Sequence, residues 1–234
     1  MIRAIFALAL LAAPAQAADQ ALEAGFSINT MRAAAAAPGL ADFMAEELFH
    51  LLKEANDAAE RARDEAAAEG RAFRQHRLHA SAQERAITAD FVSVLQWVET
   101  YSGGAHGNVY VETLNWSVRD NALIRLDAIL SEDAAGAKAL RAIARALRAD
   151  LSARPDLWPD SIAMATVPDP AALQSFTLEP SSVPGRIGGL AFHFGPYEVG
   201  PYSSGPQRVL IGQALFRSGL KPAFRALFDG APVD

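Results

Sequence analysis

The sequence predicts an α+β fold: antiparallel sheet(s), a long helix in the N-terminal half, and a second helix packed on the sheet. Three observations predict it. Apolar residues recur at three- and four-residue steps in two separate stretches, 40–69 and 133–153. Between and after them lie alternating runs and runs of β-branched and aromatic residues, the signature of strands. These strand-like runs come in groups rather than alternating one for one with helices, which argues against repeated βαβ units.

The chain opens on a positive Met1–Arg3, an apolar Ala4–Ala13 and a small-residue Pro14-Ala15-Gln16-Ala17, which reads as a secretory signal peptide over 1–17 with cleavage after Ala17. The apolar stretch is about half the ~20 residues that a bilayer-spanning helix needs. A periplasmic or secreted protein is therefore expected, with no transmembrane segment once the leader is removed. Losing Arg3 leaves 20 Lys+Arg against 27 Asp+Glu, a net charge of −7. That balance argues against a nucleic-acid partner. With no cysteine, disulfides, thiolate metal sites and cysteine nucleophiles are excluded. At 51% hydrophobic and 21% charged residues, the composition is that of a folding chain.

Residues 18–72 form an N-terminal region with the long helix. In it, 21–37 is left open, because Phe26, Ile28 and the five-alanine run suit a strand or a helix about equally. Leu40, Phe43, Met44, Leu48, Leu51, Leu52, Ala55, Ala59 and Ala62 then mark one face of a helix that Pro38-Gly39 introduces and Gly70 ends. Residues 73–234 form the C-terminal domain. Leu78, Ala80 and Ala82 alternate with polar neighbours, and 91–101 and 109–118 are strand-like, with the glycine-rich 102–108 between them as a long hairpin tip. The second helix presents Leu140, Ile143, Ala144, Leu147 and Leu151 on one face and Lys138, Arg141, Arg145 and Arg148 on the other. The span 155–170 is proline-punctuated loop, and 176–178, 187–194 and 209–211 are short strands.

Three stretches carry a family likeness. They are Tyr101-Ser102-Gly103-Gly104-Ala105-His106-Gly107-Asn108, then Ile124-Arg125-Leu126-Asp127-Ala128-Ile129-Leu130, then Gly189 to Gly205 with its Pro196-Tyr197-Glu198 loop. In that order and spacing they resemble the extracytoplasmic domain-of-unknown-function 3298 family. Its members occur on the outer side of a lysozyme-sensing anti-sigma factor, beside the catalytic domain of a peptidoglycan deacetylase, and as free-standing exported proteins. The resemblance covers roughly 73–224, and the 40–69 helix matches the helical part that commonly precedes it. It implies a fold, an extracytoplasmic compartment, and lysozyme or a cell-wall glycan as partner.

The candidate binding residues are Gly103, Gly104, His106, Tyr197, Glu198 and Tyr202. Glycines at a hairpin tip present N–H groups to an anion or a glycan hydroxyl, or simply supply positive φ. His106 suits a general base oriented by Glu198, or a hydrogen bond from one loop to the other. Tyr197 and Tyr202 suit stacking on sugar rings, anchoring a protein partner, or inward packing that locks their loop. The basic helix face suits anionic polymers or plain solvation. The five histidines are scattered, and His76 and His79, three apart in a strand, face opposite sides, so no metal site is expected. No hydrolase or phosphate-loop motif is present, and neither a catalytic residue nor a cofactor is assigned. The leading expectation is an exported, non-catalytic envelope binding protein for lysozyme or a cell-wall glycan. A glycan hydrolase or deacetylase using His106 and Glu198, and an envelope scaffold acting through the long helix, are the alternatives.

Overall fold

The computed structural model describes residues 20–233, so the leader over 1–17 lies outside the described residues. The elements run β1 (Leu22–Asn29), α1 (Met31–Ala36), α2 (Pro38–Ala68), β2 (His76–Ile87), β3 (Phe91–Tyr101), β4 (Asn108–Ser117), β5 (Ala122–Leu123), α3 (Leu126–Ile129), α4 (Ala134–Ser152), α5 (Pro159–Ala165), β6 (Phe176–Pro180), β7 (Ile187–Phe194) and β8 (Gln207–Gly212). The strands form a five-stranded sheet, β1-β2-β3-β4-β5, and a three-stranded sheet, β6-β7-β8. The predicted α+β class is what is found.

The segment 21–37 holds one element of each kind, β1 and then α1. Its pairing corrects the expected antiparallel arrangement, because β1 lies parallel to β2, from Leu22 opposite His76 to Asn29 opposite Gln83. The connection explains this. Helix α2 has 31 residues and at 1.5 Å per residue is about 46 Å long. It carries the chain back past the start of β1, the kind of crossover that parallel pairing requires. One βαβ unit thus borders an otherwise antiparallel sheet. Pro38 opens α2 at a position where no amide hydrogen is needed, and Gly70, at φ +63°, lies just past its end.

Helix α2 meets the sheet in two places. Leu40 and Met44 join Ala82, Val92, Val94, Leu114 and Trp116 in one cluster. Ala59 joins Ala21, Leu22, Leu78 and Val98 in another. The largest cluster lies elsewhere, where Leu140, Ile143, Leu147 and Leu151 of α4 pack with Phe176, Leu178, Leu190, Phe192, Val209 and Ile211 of the second sheet. Lys138, Arg141 and Arg145 are exposed. Arg148, exposed on the same face, also ties α4 to α5, donating from Nε to Thr166 Oγ1 at 3.0 Å and from Nη2 to the Ala163 carbonyl at 3.0 Å. The span 155–170 is thus not all loop. Pro159 at the first position of α5 and Asp160 in its first turn are the helix-start signals within it.

Close backbone approach fixes the start of α4. A Cβ on Gly136 would lie 1.7 Å from the Ser131 carbonyl oxygen. Glycine to alanine inside a helix ordinarily stabilises by about 1 kcal/mol. Here Gly136→Ala is expected to destabilise by roughly 1–3 kcal/mol, the usual cost of overpacking, read as a lower midpoint in urea denaturation.

The two sheets are joined by polar side chains. Strand β6 is an edge of its sheet, and Ser93 and Asn115 of the first sheet satisfy that edge. Leu178 N donates to Ser93 Oγ at 3.0 Å and Asn115 Nδ2 donates to the Phe176 carbonyl at 2.7 Å. The β6-β7-β8 face opposite α4 carries Thr177, Glu179, His193 and Arg208. Glu179 is fully buried and meets Arg85 Nη2 at 2.6 Å and Arg208 Nη2 at 3.1 Å. Arg85 sits where β2 shifts register between Glu84 and Ala86, a bulge that aims an extra side chain across the gap. No helix among the described residues is long and apolar enough to cross a membrane.

Candidate functional site

The tip between β3 and β4 owes its glycines to geometry. Gly103 has φ +85°, a conformation that costs a residue with a Cβ. A Cβ on Gly107 would sit 2.7 Å from the Thr100 carbonyl oxygen. Arg74 Nη1 donates to the Gly103 carbonyl at 3.3 Å and holds the tip down. Gly104 is exposed beside it.

The second loop follows β7. Glu198 N donates to the Gly195 carbonyl at 3.2 Å, which closes a turn with Pro196 second and Tyr197 third. Tyr197 has φ +70°. That order, proline and then a left-handed residue, belongs to type II turns, whose third position normally holds glycine or asparagine. A tyrosine held there is strained by ~1–3 kcal/mol, and such strain concentrates at functional sites. Tyr197 is also 51% exposed, so inward packing does not explain it.

The two loops meet. The His106 ring stacks on Tyr202 with centroids 4.5 Å apart and planes at 27°, and Tyr202 lies 5.6 Å from the Tyr197 ring. His106 Nδ1 is 2.8 Å from the Gly107 carbonyl. A carbonyl only accepts, so Nδ1 carries a proton, and in the neutral ring Nε2, 3.5 Å from Tyr197 Oη, is the nitrogen left to accept. The structure therefore brings together His106, Tyr197 and Tyr202, with Gly103 and Gly104 at the tip beside them. No hydrogen bond joins His106 to Glu198. Glu198 lines the adjoining groove instead, where the protein packed around its carboxyl raises its pKa above the ordinary value.

Two grooves flank this cluster. One, of about 350 Å³, runs between Asn108–Val111 of β4 and the loop bearing Pro196, Tyr197, Glu198 and Tyr202. Strand β4 pairs with β5 only through Trp116 and Ser117, so this stretch of its outer edge has no strand beside it among the described residues. The other groove, of about 430 Å³, is lined by Glu23, Arg77, His79, Glu99, Tyr101 and again Tyr202, among others. In it the Arg77 guanidinium lies 4.9 Å over the Tyr101 ring, a cation–π contact. The chain has four tyrosines, and all four line these adjoining grooves: Tyr101, Tyr110, Tyr197 and Tyr202. Sequence reading singled out only the last two. Tyr101 and Tyr110 look like ordinary strand residues until the hairpin places them at the ends of β3 and β4. No three His, Asp or Glu side chains among the described residues converge as a metal site would require.

Comparison with known proteins bears out the resemblance read from the three stretches. Residues 127–214 match the family model described as protein of unknown function (DUF3298). The crystal structure of a DUF3298 family member from Bacteroides fragilis is similar at a TM-score of 0.56 with 18% identity, covering 80% of this chain and 72% of that one. That of a DUF3298 family protein from Pseudomonas aeruginosa gives a TM-score of 0.43 with 16% identity, covering 68% and 66%. No curated protein matches the chain.

Proposed function

We propose that this chain, whose residues 127–214 match the DUF3298 family, is an exported, non-catalytic binding protein of the bacterial envelope whose paired grooves take a cell-wall glycan. The observation that carries this reading is the placement of all four tyrosines on the two grooves that meet at Tyr202. Sugar rings present apolar C–H faces that stack on aromatic rings, and hydroxyl rims that need polar partners. The grooves offer both, with Arg77, His79, Glu99 and Glu198 beside the rings. The strained, exposed Tyr197 fits a side chain kept for contact rather than for folding. Export rests on the leader-like 1–17.

Lysozyme, the other partner that the resemblance implies, is favoured by one feature, the formal net charge of −6 on the whole chain. Charge of that kind speeds encounter with a cationic protein more than it strengthens the complex. The test is calorimetry of the purified protein with soluble N-acetylglucosamine-containing oligosaccharides, and separately with lysozyme at physiological and high salt. Saturable oligosaccharide binding is expected, weakened about tenfold or more by Tyr202→Ala, the loss typical of a central aromatic anchor. Unchanged affinity in Tyr202→Ala would overturn the site. Oligosaccharide silence together with salt-resistant lysozyme binding would replace the glycan by the protein partner, and lysozyme binding that vanishes with salt would show only opposite net charges.

A further inference from the structure

A second cavity lies on the opposite side of the five-stranded sheet, independent of the tyrosine grooves. Helix α2 anchors to the sheet through Leu40 and Met44 near one end and Ala59 farther along. Between these anchors helix and sheet part, leaving about 420 Å³ lined by Met44, Leu48, Leu51, Ala80 and Val98, among others. That volume falls in the range of small-molecule sites.

The sheet residues under the gap break the local pattern. The α2-facing side of β3 reads Val92, Val94, Gln96, Val98, and that of β4 reads Tyr110, Glu112, Leu114, Trp116. Gln96 and Glu112 are register partners, so the two polar side chains stand side by side in an apolar row, and both line the cavity. Neither side chain hydrogen-bonds to another protein group among the described residues. Gln96 is half-buried and Glu112 is exposed, so the pair meets the cavity on its solvent-facing side. Burial, and after it the charge of Glu47, raises the Glu112 pKa.

The charge of the lining is one-sided. Among the described residues, Glu47, Glu54 and Glu112 contribute to it, no lysine or arginine does, and His50 is its one basic side chain. Lys53, next to Glu54 on the helix, is paired with Asp57 at 2.8 Å. A carboxylate ligand would meet like charge, whereas a protonated amine would find a carboxylate without an ionic partner among the described residues.

We propose that this cavity binds a cationic amphiphile, its apolar chain lying between α2 and the sheet and its protonated amine against Glu112. The amine supplies the counter-charge that the protein withholds, and Gln96 supplies a carbonyl oxygen beside it. Glu47 and Glu54 attract the same charge sign to the mouth.

Dodecylamine and dodecanoate share a chain and differ in head-group charge. Titrated separately into the purified protein below their micelle concentrations, dodecylamine is expected to bind saturably at one site and dodecanoate about tenfold or more weakly. Glu112→Gln should weaken dodecylamine by about tenfold and narrow the gap between the two probes. Ala45→Trp, which adds a ring to the exposed helix side of the cavity, should abolish both while keeping the native circular dichroism spectrum. Failure of dodecylamine to bind, equal affinity for both probes, or undiminished binding by folded Ala45→Trp would each overturn the proposal.

Discussion

Glu179→Gln is expected to lower the free energy of unfolding by about 3–5 kcal/mol, the cost of breaking a buried ion pair by removing one partner. Glu179 is 0% exposed and every contact of its carboxylate is charge-assisted or a short hydroxyl bond. Arg85 donates from Nη2 to Oε2 at 2.6 Å and from Nε to Oε1 at 3.3 Å. Arg208 Nη2 donates to Oε2 at 3.1 Å and Thr177 Oγ1 to Oε1 at 2.6 Å. Glutamine keeps the volume and one carbonyl oxygen but leaves two guanidinium groups facing an uncharged amide whose nitrogen cannot accept from them. Urea denaturation measures the change. Adding Arg85→Met to Glu179→Leu should recover part of the loss relative to Glu179→Leu alone, because a buried charge is then removed with its partner. A loss below about 1 kcal/mol, the range of exposed pairs, would show that water reaches the carboxylate.

This network also marks the limit of what the sequence discloses. Helix α2 and strand β3 were legible because their signals are local: a three- and four-residue apolar period in one, and a β-branched, aromatic run bounded by turn residues in the other. Glu179 and Arg85 are 94 residues apart, and Thr177 and Glu179, alternating with Phe176 and Leu178, look like the wet face of a half-buried strand. Only the packing of the second sheet against the bulge in β2 makes that face interior. The parallel pairing of β1 was hidden for a similar reason, since strand direction depends on where a long helix returns the chain. The loops fared better. Glycine, proline and tyrosine clusters drew attention to His106, Tyr197 and Tyr202, which the fold does bring together, while the proposed partnership of His106 with Glu198 rested on residue type alone and has no hydrogen bond behind it. The left-handed Tyr197 could have been suspected from Gly195-Pro196-Tyr197-Glu198, where a proline in the second position of a turn invites a positive φ in the third.

The same buried face gives the second large expectation, a loss of stability in mild acid. His193 is 2% exposed, and its Nε2 lies 2.8 Å from Thr177 Oγ1. The threonine hydroxyl gives its hydrogen to Glu179, so it accepts from Nε2–H, as a neutral imidazole allows. Burial, then the charges of Arg208 and Arg85, lower the His193 pKa from 6.5 to about 4. An unfolded chain takes up this proton near pH 6.5, whereas the folded one declines it until about pH 4. Within that window the unfolded state binds more protons, so stability rises with pH. The contribution is fully present above the unfolded value and is lost as pH falls to the folded one, a total of about 3 kcal/mol. Glu112 and Glu198, whose pKa values are raised by burial, act with the opposite sign, adding stability as pH falls through the carboxylate range. The comparison is therefore made against His193→Gln, which keeps an amide donor for Thr177 and shares every other titrating group. Between pH 7 and pH 4 the parent should lose about 3 kcal/mol more than the variant. Superimposable pH profiles would mean that His193 takes up its proton in the folded protein as readily as in the unfolded chain, and that the two arginines beside Glu179 do not reach it.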